Sequence, residues 1–311
     1  MAATIVAIPT FRRPEQLRYL LKALAALDGL DGVSLLVADN DGEGAGAAVA
    51  EAARAWLPVP IEVIRVPEPG LCHVRNAIVG HALASPDMHQ LAMLDDDEWP
   101  EPQWLAALIH MQQRTGAGVV GGPVVPVFAG ETPRWADQTL VFRPEQRPEG
   151  DVDMLYASNN LLVTRAALEA LESPWFDPAF NRSGGEDLDF LTRLKGRGVG
   201  LAWAPAARVR EHVGPERARK AWVLRRMWRI GITDTMVARK SASRPALALR
   251  SLTLLGLRTI ALPALAWQRD RRLDIAGQWI KSVARLYALA GGSDALYAAP
   301  AVLSSSRRGS S

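Results

Sequence analysis

Two short acidic stretches are the chemically suggestive features of the sequence. The first, MLDDDEWP, places the acids 95–98 directly behind an apolar run, and the second, GGEDLDF, places Glu186 and Asp187 behind two glycines. Adjacent carboxylates raise one another's pKa values unless a cation or solvent compensates them. Hard cations such as Mg²⁺ take carboxylate oxygens and keep coordination sites for substrate phosphates. The first stretch therefore indicates a divalent cation site in which Asp95 and Asp97 share one side of an extended backbone.

Helix capping is the structural alternative for both stretches. Acids ahead of Pro100 and Pro102 could cap a helix that begins near Trp104, and Glu186 and Asp187 could sit in the first turn of another helix. A cap uses one side-chain acceptor, so three consecutive aspartates exceed what capping needs. Acids are favoured in a first helical turn, so the second stretch is compatible with a helix start in either case.

The elements that must position these acids follow a repeating pattern. Apolar runs at 4–9, 33–39, 61–66 and 90–94 alternate with helical stretches rich in Ala and Leu. Continuous apolar strands separated by helices predict a parallel sheet covered on both faces. Ligands bind at the carboxyl ends of strands in such sheets, which is where Pro9, Thr10, Asp39 and the aspartates fall.

The second half of this α/β region is less regular. The segment 123–150 is rich in Pro and polar residues and predicts an irregular excursion. A strand is expected within 155–164, a helix from the glycines before Glu186, and short strands in GLAWAP and ARVREHV. The last residues, 301–311, predict a disordered tail.

The C-terminal part has a different charge. Residues 1–214 hold 18 Lys and Arg against 28 Asp and Glu, whereas residues 215–290 hold 16 against 4. The stretch 245–267 is long enough to span a bilayer, but Arg250 and Arg258 interrupt it and are expected on one helix face. We expect it to lie in the plane of an anionic membrane surface, with a buried packing helix and a true span as alternatives. No nucleic-acid motif is visible.

Composition limits the remaining classes. The 311 residues are 49% hydrophobic, enough for one large core with an appendage. Cys72 is the single cysteine, so an internal disulfide is excluded. The N-terminus lacks the charged and apolar regions of a secretory signal, which predicts a cytoplasmic protein.

Five motifs in order carry a family resemblance. TFRR, VADND, GLCHVRN and MLDDDEWP follow the four predicted strands, and GGEDLDF comes later. Together they resemble family 2 glycosyltransferases of the GT-A fold, and within them the bacterial exopolysaccharide transferases of the succinoglycan pathway. The resemblance implies a catalytic domain at 1–215, with a nucleotide-sugar half at about 1–100 and an acceptor half at about 101–215. The basic helical region at 216–300 would associate with the membrane.

The resemblance implies donor-binding roles for the first four motifs. The nucleotide base and ribose would contact Pro9, Thr10, Arg12 and Asp39, and the phosphates would lie near Arg75 and Asn76. Asp95 would face the ribose, and Asp96 between the two outer acids is grouped with them without an assigned contact. Asp97 would bind the Mg²⁺ or Mn²⁺ that bridges the donor diphosphate.

The later motifs imply the rest of the site. His212 would join the metal ligands, although a lone histidine is more often structural. Asp187 would be the base that takes the proton of an acceptor hydroxyl, and Glu186 would orient acceptor or base. The sugar pocket would be formed by Gly122, Trp135, Asn159 and Asn160.

The resemblance implies an inverting, metal-dependent hexosyltransferase. The donor would be a nucleotide sugar, with UDP as the favoured nucleotide. The acceptor would be a polyprenyl-diphosphate-linked oligosaccharide, and the product would contain a β-glycosidic bond. Such an enzyme would act in the cytoplasm, peripherally at the inner face of the plasma membrane. The stretch LRRMW departs from the QxxRW motif of processive members, which predicts a single addition.

Three other functions fit the sequence less well. A catalytically inactive GT-A domain could serve as a membrane-associated binding subunit, but the acids are intact. A sugar nucleotidyltransferase would need a glycine-rich loop after the first strand, and PTFRRP stands there instead. A dinucleotide oxidoreductase is disfavoured because GEGAG follows the second strand rather than the first.

Overall fold

A computed structural model describes residues 3–266 and 271–292 of the chain. The expected tail 301–311 lies outside the described residues, as do residues 267–270 and 293–300 of the expected membrane-associating region, including the last residue of the stretch 245–267.

The four predicted N-terminal strands are confirmed and form one parallel unit. They are β1 (Ala3–Thr10), β2 (Val33–Asp39), β3 (Ile61–Arg65) and β4 (Met88–Leu94), in the spatial order β3-β2-β1-β4. Each of these strands ends at the same sheet edge because all neighbouring pairs are parallel. The loops that carry the first four motifs therefore meet at that edge.

Helices cover both faces of this unit. They are α1 (Pro14–Ala25), α2 (Ala45–Ala53), α3 (Leu71–Ala84) and α4 (Trp104–Thr115). Alternate residues of β1 enter different core clusters, Ile5 and Ala7 on one face and Val6 and Ile8 on the other. Burying a Val or Leu side chain stabilises a fold by about 1.5–3 kcal/mol, which explains the continuous apolar runs.

The main sheet continues with shorter strands. Beyond β4 lie strands from the second half of the chain, in the full order β3-β2-β1-β4-β9-β6-β10-β8. Their bounds are β6 (Val119–Gly121), β8 (Gly150–Asp151), β9 (Asn160–Thr164) and β10 (Leu201–Trp203). The strand expected within 155–164 forms only from Asn160.

A small second sheet follows the order β5-β11-β7. It is built from β5 (Glu98–Pro100), β7 (Val124–Phe128) and β11 (Val209–Val213). The prediction that 123–150 is irregular throughout is therefore wrong at its start, since β7 pairs in parallel with β11. Pro126 is tolerated because β7 is an edge strand of this sheet.

Two helices complete the α/β part, α5 (Arg165–Glu169) and α6 (Glu186–Gly196). Gly185 precedes α6 with φ of 97°, a left-handed backbone that favours glycine. The glycine explains why the chain can turn sharply into this helix, and Glu186 and Asp187 occupy its first turn.

Three long helices follow, α7 (Lys220–Ala238), α8 (Arg244–Ala266) and α9 (Arg272–Leu289). α9 packs against both α7 and α8. α7 and α9 approach closely at Gly231, where a Cβ would lie 2.5 Å from the carbonyl oxygen of Lys281. In the described parts of the chain, every helix is too short or too polar to cross a bilayer.

Arg250 and Arg258, expected on one face of α8, lie in different environments. Arg250 is exposed, whereas Arg258 donates hydrogen bonds to the carbonyl oxygen and the side chain of Gln278 on α9, at 2.6 and 3.1 Å. Eight residues turn a helix by about 80° beyond two full turns, which is enough to separate the two environments.

Candidate active site

A cavity of about 300 Å³ lies beside the ends of β4, β6 and β9. Of the predicted site residues, Asp95, Gly122, Asn159, Asn160 and Asp187 line it. These residues come from four separate segments of the chain. The fold therefore brings the first acidic stretch and the second one to one cavity.

Arg75 joins the two acidic stretches. Its guanidinium is 4% exposed and contacts Glu186 at 2.9 Å, Asp95 at 3.4 Å, and Asp187. Burial alone would lower the pKa of Arg75, but the charges of Asp187, Asp95 and Glu186 raise it. The arginine that the family resemblance puts near the donor phosphates is thus occupied by three carboxylates in this structure.

Burial is the largest cause of the raised pKa values of two acids that contact Arg75. Burial raises the pKa of Asp95 to about 6, against the opposing effect of Arg75. Burial and the charge of Asp187 raise the pKa of Glu186 to about 7, again against Arg75. Both groups thus titrate far closer to neutral pH than ordinary carboxylic acids do.

Asp187 is the acid best placed to accept a proton. Its Oδ1 accepts hydrogen bonds from Arg75 and from the hydroxyl of Ser158. Both bonds use Oδ1, which leaves Oδ2 for a hydroxyl in the cavity. The side chain is 24% exposed, and its position in the first turn of α6 fixes its direction. Ser158 was not singled out in the sequence, because a serine beside two asparagines carries no distinctive signal.

Asp96 fastens the loop after β1 to the loop after β4. Its Oδ2 accepts hydrogen bonds from the Thr10 hydroxyl at 2.9 Å and the Phe11 amide at 3.3 Å, and its Oδ1 accepts one from Arg13 at 2.9 Å. Thr10 is 2% exposed. Thr10 and Asp96 therefore satisfy each other's hydrogen-bonding groups. Neither side chain is free to contact a nucleotide.

Asp97 lies between two arginines. Its Oδ2 is 2.9 Å from Arg13 Nη1 and 3.6 Å from Arg217 Nη1, and Arg217 also binds Glu211 at 2.6 Å. Burial raises the pKa of Asp97, Arg13 opposes that shift, and the charge of Glu211 adds to it. Arg13, Glu211 and Arg217 were not predicted. A divalent cation could compensate the charges of Asp97 and Glu211, and in this structure Arg13 and Arg217 compensate them.

His212 lies across the strand pair from Asp97, and its amide donates to the Asp97 carbonyl oxygen at 2.8 Å. Glu211, the preceding residue of β11, lines the cavity. Within residues 3–266 and 271–292 no three His, Cys, Asp or Glu side chains are arranged to hold a metal. Mg²⁺ commonly binds one or two carboxylates together with substrate phosphates. Asp97 and Glu211 therefore fit a metal that binds together with the diphosphate of the donor. They fit less well with a metal site that is complete before the donor binds.

Asp39 and Arg12 stand apart from the cavity. Both oxygens of Asp39 accept backbone hydrogen bonds, from Asp41 at 2.9 Å and from Ala47 at 2.7 Å, and the residue is 1% exposed. Arg12 is exposed, has φ of 56°, and binds Asp41 at 3.2 Å. Pro9 lies within β1 opposite Ala38 of β2. Asp39 thus stabilises the start of α2 instead of presenting a free carboxylate.

Two of the predicted asparagines hold the backbone. Asn76 exchanges two hydrogen bonds with the backbone of Phe176, at 2.7 and 2.9 Å. Asn160 donates to the carbonyl oxygens of Pro123 and Ala207 and accepts from Trp104. These bonds use the polar atoms of both amides. Asn160 borders the cavity and fixes its shape but offers no free group.

Asn159 differs, because its partner is an acid. Its Nδ2 donates to Glu98 Oε1 at 2.5 Å, and Glu98 Oε2 accepts the Asp95 amide at 2.8 Å. Glu98 is 1% exposed, and burial followed by the charge of Asp95 raises its pKa well above the ordinary value. Glu98 therefore positions both Asn159 and Asp95.

The remaining predicted pocket residues have packing roles. Trp135 belongs to an aromatic cluster with Phe142, at 6.2 Å between ring centroids, and does not line the cavity. A Cβ at Gly122 would lie 2.2 Å from the carbonyl oxygen of Ala207, so glycine is needed for β6 to pack there. The helix-cap alternative for the first acidic stretch is wrong, since α4 begins after Gln103 without an acid in its first turn.

Known proteins share this architecture. The chain matches the family model "Glycosyl transferase family 2" over residues 5–171. It is 34% identical over 235 residues to the succinoglycan biosynthesis protein ExoM of Rhizobium meliloti (strain 1021), covering 73% of this chain and 72% of the relative.

Solved structures agree on the fold. The mannosyltransferase PcManGT from Pyrobaculum calidifontis, in complex with GDP-Man and Mn²⁺, matches with a TM-score of 0.60 and 17% identity, over 92% of this chain and 86% of that one. The S. aureus protein TarS, residues 1–349 in complex with UDP, matches with a TM-score of 0.53 and 14% identity, over 93% and 92% of the two chains. The mixed α/β architecture with a central sheet flanked by helices is the GT-A fold. The chain belongs to glycosyltransferase family 2 and is a glycosyltransferase.

Proposed function

We propose that the chain transfers a hexose from a nucleotide sugar to a hydroxyl group of a lipid-linked oligosaccharide in bacterial exopolysaccharide synthesis. The relative named as a succinoglycan biosynthesis protein supports this setting. The observation that carries the proposal is the contact of both Asp95 and Asp187 with the guanidinium of Arg75 at one cavity. A donor group beside Asp95 and an acceptor hydroxyl at Asp187 would then be neighbours.

The proposed reaction is one displacement with inversion. The acceptor oxygen forms a bond to the anomeric carbon while the bond from that carbon to the nucleoside diphosphate breaks. Oδ2 of Asp187 takes the hydroxyl proton, and Ser158 and Arg75 hold the same carboxylate in position through Oδ1. Displacement of an α-linked donor by this route gives a β-glycosidic bond.

Asp97 and Glu211 are the residues that would hold Mg²⁺ or Mn²⁺. A bound metal would supply charge compensation for the diphosphate that leaves. Arg13 and Arg217 now neutralise Asp97 and lie close enough to share that task. The solved complex of a fold relative with GDP-Man and Mn²⁺ is consistent with this chemistry, and His212 stays a candidate ligand from the sequence motif alone.

The outer face of α8 supports a peripheral position at the membrane. Four large apolar side chains on it are more than half exposed: Leu249, Leu252, Leu257 and Ile260. Arg258 and the opposite side of α8 pack on α9, so the apolar face has no partner within the described residues. A helix with one apolar face and basic flanks binds at the interface of anionic lipids. We propose that this face holds the enzyme at the cytoplasmic surface, where a polyprenyl-linked acceptor would be reached.

The test is a donor screen followed by a transfer assay. Thermal unfolding should shift upward with one nucleoside diphosphate in the presence of Mn²⁺, because a ligand that binds only the folded state stabilises it. The matching labelled nucleotide sugar should then pass label to the lipid fraction of bacterial membranes. Binding without transfer or donor hydrolysis would favour the inactive binding subunit instead. Intact Asp95, Asp97 and Asp187 argue against that alternative.

A further inference from the structure

Besides Asp95 and Asp187, the cavity is lined by residues from two further, distant parts of the chain, segment 141–145 and α7. Phe142 stacks on Trp222 of α7, with ring centroids 5.6 Å apart and an interplanar angle of 18°. Arg143 follows Phe142 directly, and Arg226 lies one helical turn after Trp222. Both arginines line the cavity. The aromatic stack therefore explains why two cations from separate segments meet there.

The carboxylates that line the cavity already have cationic partners. Asp95 and Asp187 contact Arg75, and Glu211 contacts Arg217. Glu145 contacts Arg147 at 2.5 Å.

Arg143 and Arg226, in contrast, make no side-chain hydrogen bond or ion pair with any of the residues that the structure describes. The lining of the cavity therefore includes two positive charges that no described carboxylate compensates. Guanidinium groups are suited to phosphate and carboxylate oxygens because their donors form a planar fork.

We propose that Arg143 and Arg226 bind an anionic group, a phosphate or a carboxylate, that the acceptor substrate carries. The inference rests on the proposed function, because it takes the cavity as the place where acceptor and donor meet. Tyr156 and Trp222 line the same cavity and offer apolar surface to the saccharide or lipid beside that group.

The acceptor, and not the donor, is assigned to Arg143 and Arg226 because of their surroundings. The loops after β1 and β4 carry donor-binding motifs. Asp97 follows β4, and Arg13 and Arg217 already contact its carboxylate. Arg143 and Arg226 come from segment 141–143 and from α7, outside those loops. A diphosphate bound at Asp97 would therefore meet Arg13 and Arg217 before these two cations.

Binding can be measured without turnover. Three probes share the configuration of the glucose ring: butyl β-glucoside, which is neutral, butyl β-glucuronide, which carries a carboxylate at C6, and butyl-diphospho-glucose, which carries a diphosphate. We expect at least one anionic probe to bind wild-type protein with a Kd at least ten-fold below that of the neutral probe. The double variant Arg143→Gln/Arg226→Gln should lose that advantage. Comparing the two anionic probes identifies which group the site prefers.

Arg225→Gln is the matched control. Arg225 is the neighbouring exposed arginine of α7 and does not line the cavity, so its loss should leave all three affinities unchanged. Equal affinities for neutral and anionic probes in the wild type, or an unaltered preference in the double variant, would overturn the proposal.

The affinity for nucleotides independently tests whether the two arginines serve the acceptor or the donor. UDP and GDP affinities should be the same in the wild type and the double variant, and weaker nucleotide binding in the variant would assign the arginines to the donor and overturn the proposal. The lack of transfer or donor hydrolysis by the wild type would instead contradict the proposed function, while the probe affinities would still decide this inference.

Discussion

Arg75 and Asp187 form an ion pair between α3 and the first turn of α6, and the same guanidinium reaches Asp95 at 3.4 Å. This pair fixes the distance between the loop after β4 and the start of α6. Removing the cation from a buried group of acids costs about 3–5 kcal/mol, because the remaining charges are left uncompensated. The contact thus links the stability of the fold to the geometry of the site.

Asp96 and Asp97 should respond differently to the same substitution. Asp96→Asn weakens the contacts with Thr10, Phe11 and Arg13, so the free energy of unfolding should fall by about 1–3 kcal/mol. Asp97→Asn removes a proposed metal ligand, so transfer should fall at least 100-fold with a smaller change in unfolding. Urea denaturation and a transfer assay across a Mn²⁺ titration measure both effects. Equal losses of stability in the two variants would refute the separate roles.

Glu186 should make the folded state less stable as pH rises. Its pKa is about 7 in the folded protein against an ordinary 4.5, so the protonated acid stabilises the fold below 4.5 and that contribution is lost as pH rises through 7. Glu186→Gln removes this titration. We expect the melting temperature of the variant, relative to wild type, to be higher at pH 8 than at pH 5 by roughly 2 °C or more. The same difference at both pH values would show that Glu186 does not titrate in this range.

The exposed face of α8 should bind anionic lipid. Leu252→Ser/Ile260→Ser removes two of its apolar side chains, both more than half exposed, so the folded state should keep its stability. Co-sedimentation with phosphatidylglycerol vesicles should fall at least five-fold in this variant. Thr253→Ser, an exposed position on the same helix, serves as the control. Unchanged sedimentation of the leucine and isoleucine variant would exclude this face as the membrane contact.

The sequence predicts well what depends on neighbouring residues. The strands β1 to β4 follow from continuous apolar runs, and the start of α6 follows from Gly185 before two acids. Positions at the carboxyl ends of parallel strands converge by topology, which predicts Asp95 at the site. Asp187 lies in the first turn of α6, and only the family resemblance predicts it at the same site.

Contacts between distant segments are what the sequence does not reveal. Ser158 contacts Asp187 and Arg217 contacts Asp97, and only tertiary folding joins these pairs. Glu98 accepts a hydrogen bond from the Asp95 amide through a local turn.

The same limit applies to the hydrogen bonds of the predicted donor-binding side chains. Thr10 and Asp39 stand at strand ends as donor-binding residues do, yet their polar atoms are used within the protein. Strand ends show where a site lies but not which of their side chains remain free.

The most direct measurement is the single-turnover rate of Asp187→Asn with a saturating labelled donor. The substitution keeps the size of the side chain and removes the proton acceptor, so the account predicts a transfer rate at least 1,000-fold below wild type, as for loss of a general base. The affinity for the nucleoside diphosphate should change less than three-fold. Transfer within ten-fold of wild type, with the variant folded and the donor bound, would contradict the account.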